Sequence, residues 1–250
     1  PSYLIVLSVI FSPRSLTNLQ ISSFIFFFFF SISSCSLLKS SYISLSIIIS
    51  LLFFFILSLS SSDSGVREKT SRYLSALVDF TADIGGAVMV LGSPKQRSFP
   101  PECNVAMVER WFSEALSEPL SLAARRGVML CIEPLSKAET NFITTAEEAC
   151  ALITRIAHPN LRLILDVKAM CDEPRPIPDI IHASRRYLSH VHANDENRRG
   201  PGSGRVDFGP IMQALLDVGY QGYVSVEVFA FDEGPETIAR NAIRYLQQFV

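Results

Sequence analysis

The alternation of short apolar strands with amphipathic helices is the feature that most constrains the fold of this chain. Apolar periodicity predicts helices over residues 66–84, 105–126, 145–157, 178–188, 210–218 and 235–249, with strands over 87–91, 128–132, 161–166, 190–192 and 223–228. The strands recur about 30 to 40 residues apart, which is typical of parallel βαβ units. Because a single α/β barrel commonly fills 250 residues, the sequence predicts one large α/β domain.

Acidic residues and a histidine lie at or near the carboxyl ends of the last four predicted strands. They are Glu133, Asp166, His192 and Glu227. Each has a purely structural interpretation by itself, since a glutamate can cap a helix and an aspartate can start a turn. The carboxyl ends of consecutive barrel strands meet at one mouth, however, and an unpaired acid is costly there. Together these residues predict a site with mainly oxygen ligands, suited to Mn²⁺, Mg²⁺ or Co²⁺.

The segment around His192 has the pattern of a strand that ends in a polar loop. His190 and His192 share one face of the predicted strand, because successive side chains alternate between the two faces. Polar residues 194–199 and a glycine and proline turn over 200–204 follow them. A βα connection with surface histidines would show the same pattern, so this segment alone does not decide between a structural and a functional interpretation.

Four segments carry a resemblance to a known family. IEPL at 132–135, LDVKAM at 165–170, HVHANDENRRGPG at 190–202 and SVEVF at 225–229 resemble the xylose isomerase-like TIM barrels. Within them, the segments are most similar to the sugar phosphate isomerase/epimerase group that includes the D-tagatose 3-epimerase-like enzymes. The ligand candidates are separated by 33, 26 and 35 residues, in agreement with that family, and the resemblance extends over about residues 66–250.

The resemblance implies a metal-dependent sugar or sugar phosphate isomerase or epimerase. Glu133, Asp166, His192 and Glu227 are then the metal ligands, and Mn²⁺ is the first expectation for the ion. Glu133 and Glu227 are also implied to be catalytic, since they exchange a substrate proton through an enediolate. Glu139 and Arg198 match substrate-binding positions, whereas His190 matches no ligand position. Ala169 stands where the epimerases have a substrate-binding histidine, so the resemblance leaves the sugar open.

Three other interpretations are compatible with this fold. An inosose dehydratase-type lyase would use the same barrel, and an inactive or fragmentary barrel would keep the metal site without turnover. An endonuclease IV-like nuclease needs more histidines than the four in this chain. The net charge of −2 and the absence of a long basic run also argue against a nucleic-acid partner. The expected partner is therefore a small sugar, and the oligomeric state is left open.

Residues 1–62 differ in composition from the rest and are predicted to lie outside the barrel domain, which spans 63–250. Their charged residues are Arg14 and Lys39 alone. One interpretation is a membrane anchor through residues 21–59, where 41–59 is uncharged and long enough to cross a bilayer. The other is an aberrant N-terminus that replaces barrel units, so the (β/α)8 TIM barrel is expected to be incomplete or irregular at this end. The five scattered cysteines fit reduced thiols and a cytoplasmic barrel domain.

Overall fold

A computed structural model describes residues 57–230 and 232–249, together with a two-residue strand near the start of the chain. The strands are β1 (Ile10–Phe11), β2 (Val88–Leu91), β3 (Met129–Ile132), β4 (Leu161–Asp166), β5 (Leu188–Ala193) and β6 (Val224–Val226). The helices are α1 (Ser64–Asp83), α2 (Val105–Arg126), α3 (Ala146–Ile156), α4 (Val167–Met170), α5 (Ile177–Ser184), α6 (Phe208–Asp217) and α7 (Pro235–Leu246). A 3₁₀ turn, Gln247–Phe249, follows α7.

Five of the six described strands keep the order of the chain in the sheet. Strands β2 to β6 lie side by side in sequence, and each is parallel to the next. The short β1 pairs antiparallel with β6 at the other edge. Consecutive parallel strands joined by helices are the arrangement of successive units in a TIM barrel, which confirms the predicted fold class. The prediction that the barrel is incomplete or irregular at its N-terminus falls mainly on residues before 57, which apart from β1 lie outside the described part of the chain.

Local capping explains where several helices begin. The Asp63 carboxylate accepts the N–H of Gly65 at 2.7 Å at the start of α1. At the start of α3, the Thr145 hydroxyl accepts the N–H of Glu148 at 3.2 Å, as a capping box requires. The Glu148 carboxylate, however, accepts the N–H of Thr144 at 2.6 Å instead of that of Thr145. The reciprocal bond of the predicted capping box is thus displaced by one residue.

Several element boundaries differ from the sequence prediction. Helix α5 ends at Ser184 instead of residue 188, and β5 begins at Leu188, because β5 pairs with β4 from that residue onward. Helix α6 begins at Phe208 rather than at Pro210, since the Asp207 carboxylate caps it by accepting the N–H of Gly209 at 2.9 Å. Pro210 then occupies the first turn, where no intrahelical donor is needed.

The chain just before the predicted domain boundary packs against the domain. Leu57 and Leu59 are buried, and Leu59 belongs to the main apolar core. The backbone N–H of Leu59 donates to the Gln96 carbonyl at 2.7 Å, and the Ser60 hydroxyl donates to the Ser98 carbonyl at 3.0 Å. Ordered packing therefore extends at least to residue 57.

The predicted membrane anchor over residues 21–59 lies outside the described residues except for its last three. Among the helices that the structure describes, none is long and apolar enough to cross a lipid bilayer.

Four of the cysteines fall in the described part of the chain, and each is a free thiol: Cys103, Cys131, Cys150 and Cys171. The cytoplasmic location inferred from the cysteines stays a prediction.

Candidate metal and sugar site

The four predicted ligands come together at the carboxyl ends of four consecutive strands. They follow or end β3, β4, β5 and β6, and they are Glu133, Asp166, His192 and Glu227. All four are buried, with 2 to 7% of each residue exposed. One ligand atom from each lies within 4.8 Å of all the others. A cluster this compact has the size of the coordination sphere of a single ion.

The imidazole of His192 lies among the three carboxylates. Its Nδ1 atom is 3.2 Å from Oε1 of Glu133, 3.2 Å from Oε2 of Glu227 and 3.8 Å from Oδ2 of Asp166. Burial by itself would lower the pKa of His192, but the charge of Glu227 and the hydrogen bonds to Glu133 and Glu227 raise it well above its ordinary value. Without a metal ion, a proton on Nδ1 therefore offsets part of the negative charge.

The charge balance of the cluster favours a divalent cation. Burial and then the charge of Glu133 raise the pKa of Asp166, and the opposing effect of His192 is smaller. Three buried acids beside one another are costly unless a positive charge compensates them. Carboxylate oxygens with one imidazole nitrogen form a donor set for Mn²⁺, Mg²⁺ or Co²⁺, so the residues fit the ion that the sequence predicted.

A buried amide holds the carboxylate of Asp166 in place. Oδ1 of Asp166 accepts a hydrogen bond from the N–H of Ala169 at 2.8 Å, and Oδ2 accepts one from Nδ2 of Asn194 at 2.6 Å. Asn194 is fully buried, and its Oδ1 accepts the N–H of Lys168 at 2.9 Å. Sequence reasoning missed the role of Asn194. The period-2 spacing of residues 190, 192 and 194 could have indicated it, since these three side chains share one face.

Arg97 and Gly92 support Glu133 from the loop after β2. The Arg97 guanidinium is buried, and it donates to the Glu133 carbonyl at 2.6 Å and to the Leu91 carbonyl at 3.2 Å. Burial lowers the pKa of Arg97 to about 10, against the charges of Glu133 and Glu139, so the side chain is still cationic at neutral pH. A Cβ atom at Gly92 would collide with the Glu133 carboxylate. Sequence reasoning missed both residues. A signal was available only for Gly92, because a glycine directly after a predicted strand suggests a close approach.

His190 lies beside the cluster and not within it. Its Nε2 is 2.9 Å from the Ser225 hydroxyl, and its ring meets the ring of His192 edge to face at 5.3 Å. Burial and the nearby His192 lower the pKa of His190 to about 3. His190 is therefore neutral, and its polar atom is engaged away from the carboxylates.

The two predicted substrate residues lie in loops at the same end of the sheet. Oε1 of Glu139 is 2.9 Å from Nζ of Lys168, and Oε2 accepts the N–H and the hydroxyl of Ser136 at 3.2 and 2.9 Å. Arg198 has a φ of 68°, and its guanidinium lies 5.3 Å from the centre of the Phe229 ring. Non-glycine residues rarely adopt such a φ, and in this loop the Arg198 carbonyl is held by the N–H of Phe229 at 2.8 Å. The roles of Glu139 and Arg198 toward a substrate stay predictions.

Comparisons with known proteins place these features in a family. The family model of the xylose isomerase-like TIM barrel matches residues 30–249. D-psicose 3-epimerase of Ruminiclostridium cellulolyticum is 35% identical over 116 residues, which cover 46% of this chain and 40% of that protein. The 3-dehydro-D-guloside 4-epimerase of Escherichia coli K12 is 27% identical over 182 residues, covering 70% of each chain.

A solved structure agrees with these relatives. A D-psicose 3-epimerase crystallised in the presence of D-fructose has a TM-score of 0.70 and 25% identity, over 78% of this chain and 75% of that one. The chain thus spans about two fifths of the length of its R. cellulolyticum relative in sequence and three quarters of this structure. Because the family model covers most of the chain, and the strand order and clustered carboxylates agree with it, the protein belongs to the xylose isomerase-like TIM barrel family.

Proposed function

We propose that the protein is a divalent-metal-dependent ketose epimerase or isomerase. The observation that carries this proposal is the buried cluster of three carboxylates and one imidazole, with ligand atoms within 4.8 Å of one another. The four residues come from the carboxyl ends of four consecutive strands. This supports the same conclusion, because the catalytic groups of TIM barrels lie at the carboxyl-terminal face of the barrel. Relatives named D-psicose 3-epimerase and L-ribulose 3-epimerase indicate the reaction class.

Glu133, Asp166, His192 and Glu227 would hold the ion, with Mn²⁺ as the first candidate and Mg²⁺ or Co²⁺ as alternatives. A bound divalent ion would polarise the oxygens of a ketose and so acidify the adjacent C–H group. Glu133 and Glu227 are the acid/base groups in this proposal: one removes the proton from the carbon next to the carbonyl, and the other returns a proton.

Glu139 and Arg198 would orient the substrate from the loops after β3 and β5. Glu139 offers carboxylate oxygens and Arg198 offers guanidinium N–H groups, and sugar hydroxyls both donate and accept hydrogen bonds. Fixing the hydroxyls in this way sets which carbon lies beside the two catalytic glutamates.

A metal-dependent proton-exchange experiment tests the proposal. The full chain is stripped with a chelator, reloaded with Mn²⁺, Mg²⁺ or Co²⁺, and incubated in D₂O with D-fructose or D-tagatose. We expect deuterium at C3 by NMR and the C3 epimer by chromatography, both only with metal present. Metal binding without exchange would favour the inactive barrel, and exchange with loss of water would favour the lyase; either result would overturn the epimerase proposal.

A further inference from the structure

A fully buried aspartate lies at the base of the loop between β5 and α6. Asp195 comes two residues after the end of β5 and is 0% exposed, whereas residues 196–198 and 202–205 of the same loop are exposed. A buried carboxylate is costly unless hydrogen bonds compensate it, and native proteins satisfy such groups. The bonds that the Asp195 carboxylate accepts therefore show what it holds in place.

Backbone N–H groups from both ends of the loop donate to this carboxylate. Oδ1 accepts hydrogen bonds from Glu196 at 3.0 Å and from Val206 at 3.3 Å, and Oδ2 accepts one from Gly204 at 2.9 Å. One side chain thus joins the start of the loop to its end. A Cβ atom at residue 204 would collide with the Asp195 carboxylate, so the close approach depends on a glycine there.

The backbone of Asp195 also forms the turn that carries Arg198. Its carbonyl accepts the N–H of Arg198 at 2.9 Å, and its own N–H donates to the Arg199 carbonyl at 2.9 Å. Arg198 has a φ of 68°, which a non-glycine residue keeps only where the surrounding structure enforces it. The two backbone bonds to Asp195 supply that constraint.

The turn is fixed in addition to the chain that follows β6. The Arg198 carbonyl accepts the N–H groups of Phe229 at 2.8 Å and of Ala230 at 3.2 Å. The guanidinium of Arg198 lies 5.3 Å from the centre of the Phe229 ring, within the range of cation–π attraction. The place of this guanidinium therefore depends on the turn that Asp195 closes.

We propose that Asp195 is a positioning residue for Arg198: its buried carboxylate closes the loop over residues 195–206 and so holds the Arg198 guanidinium ready for the substrate. The inference rests on the proposed function, which gives Arg198 its role toward the sugar. A loop that had to become ordered on binding would lose affinity to the entropy of that ordering, and a loop that is already closed avoids this loss. In this proposal Asp195 acts only through the loop and contacts neither metal nor substrate.

The first test is Asp195→Asn in the metal-loaded full chain, with D-fructose or D-tagatose as the probe. Whichever way the amide is oriented, it presents a donor to at least one of the three backbone N–H groups, so the loop loses a closing bond. We expect KM to rise about tenfold, the effect of one hydrogen bond to a charged group, with kcat nearly unchanged. The reason is that Arg198 is proposed to bind hydroxyl groups and not the migrating proton. Retained Mn²⁺ affinity would show that the variant is folded.

Gly204→Ala disturbs the same contact from the other end of the loop without changing any charge. It should raise KM in the same way, so the inference does not depend on one variant. Asp217→Asn is the matched control, because Asp217 is an exposed aspartate at the C-terminal end of α6 that accepts Nε2 of Gln213. Its KM should equal that of the wild-type protein.

A double-mutant cycle shows whether Asp195 acts through Arg198. We expect Asp195→Asn to raise KM about tenfold in the wild-type background and hardly at all when Arg198→Met is already present, because residues that act as one unit are not additive. The same fold increase in both backgrounds would overturn the inference, as would a wild-type KM in Asp195→Asn.

Hydrogen exchange separates failure of this inference from failure of the proposed function. Asp195→Asn should accelerate exchange of the Phe229 and Ala230 amides, which the Arg198 carbonyl protects in the wild-type protein. If exchange accelerates but the wild-type protein epimerises neither sugar, the positioning of Arg198 stands and the proposed function fails. If the wild-type protein epimerises a sugar but Asp195→Asn changes neither KM nor exchange, the proposed function stands and the inference fails.

Discussion

Nδ2 of Asn194 lies 2.6 Å from Oδ2 of Asp166, while Oδ1 of the same side chain accepts the N–H of Lys168 at 2.9 Å. The second bond fixes which way the amide faces, so Asn194 presents a donor to the carboxylate and not an acceptor. Asp166 then has one oxygen bound to Asn194 and the other bound to the N–H of Ala169. Its carboxylate is held in one orientation before any metal ion arrives.

We therefore expect Asn194→Ala to weaken Mn²⁺ binding by about 10- to 100-fold, because partners that orient a metal ligand have effects of that size. Calorimetric titration of the chelator-treated protein measures the affinity. Asn197→Ala is the control, since this exposed asparagine lies farther along the same loop and donates to the Ser203 carbonyl. Equal affinities in the wild-type and Asn194 proteins would mean that the carboxylate needs no such support.

Under the proposed function, Glu133→Gln and Glu227→Gln should each reduce epimerisation by at least about 100-fold, because each substitution removes a proposed charged ligand and a proposed acid/base group together. The shape of the side chain is retained. Steady-state rates with added Mn²⁺ provide the measurement, and Glu114→Gln on the exposed side of α2 serves as the control. Activity near that of the wild-type protein in either variant would exclude that glutamate from catalysis.

The two histidines of β5 should differ in their effect on the metal. His192→Ala removes the nitrogen that faces all three carboxylates, and we expect metal binding to be largely lost. His190→Ala removes a contact to Ser225 and a ring neighbour of His192, and we expect a milder loss. The two variants control for each other in the same titration. An equal loss of affinity would show that the imidazole ligand is assigned to the wrong residue.

Metal affinity should increase with pH. In the metal-free protein, Glu227 and Glu133 outweigh burial and raise the pKa of His192 well above its ordinary value, so at neutral pH a metal ion has to displace a proton from this side chain. Below the raised pKa, affinity should fall by up to about tenfold for each pH unit of acidification. Calorimetry between about pH 6 and pH 8 in two buffers of different protonation enthalpy would count the released protons. Binding with no proton release would contradict the protonated state of His192.

Leu59→Ala should destabilise the domain by about 2 to 5 kcal/mol, the usual effect of truncating a buried leucine. Leu59 is 5% exposed and belongs to the main core, although it precedes the predicted boundary at residue 62. Urea unfolding followed by circular dichroism measures the change. Val105→Ala is the control, because Val105 is 51% exposed on α2. An unchanged free energy of unfolding in Leu59→Ala would mean that the domain begins after this residue.

The α/β fold and the clustering of the four predicted ligands could be predicted from the sequence because both depend on local patterns. Apolar periodicity distinguishes strands from helices, and parallel connection brings every strand end to the same edge. Glu133, Asp166 and Glu227 could therefore be grouped without knowing any distance. The exact boundaries of the elements were predicted less accurately, because pairing with β4 decides where β5 begins and the Asp207 cap decides where α6 begins.

The contacts that surround the ligand set were decided by the tertiary structure alone. Asn194 meets Asp166 across 28 residues of chain, Arg97 meets Glu133 across 36, and Lys168 meets Glu139 across 29. Each of these pairs joins two different strand ends or loops. The path of a loop determines which side chains meet above the sheet, and that path depends on backbone turns such as the positive φ of Arg198 rather than on residue spacing. Periodicity places a residue at the mouth of the barrel, and only packing across the strand ends decides which residue it touches there.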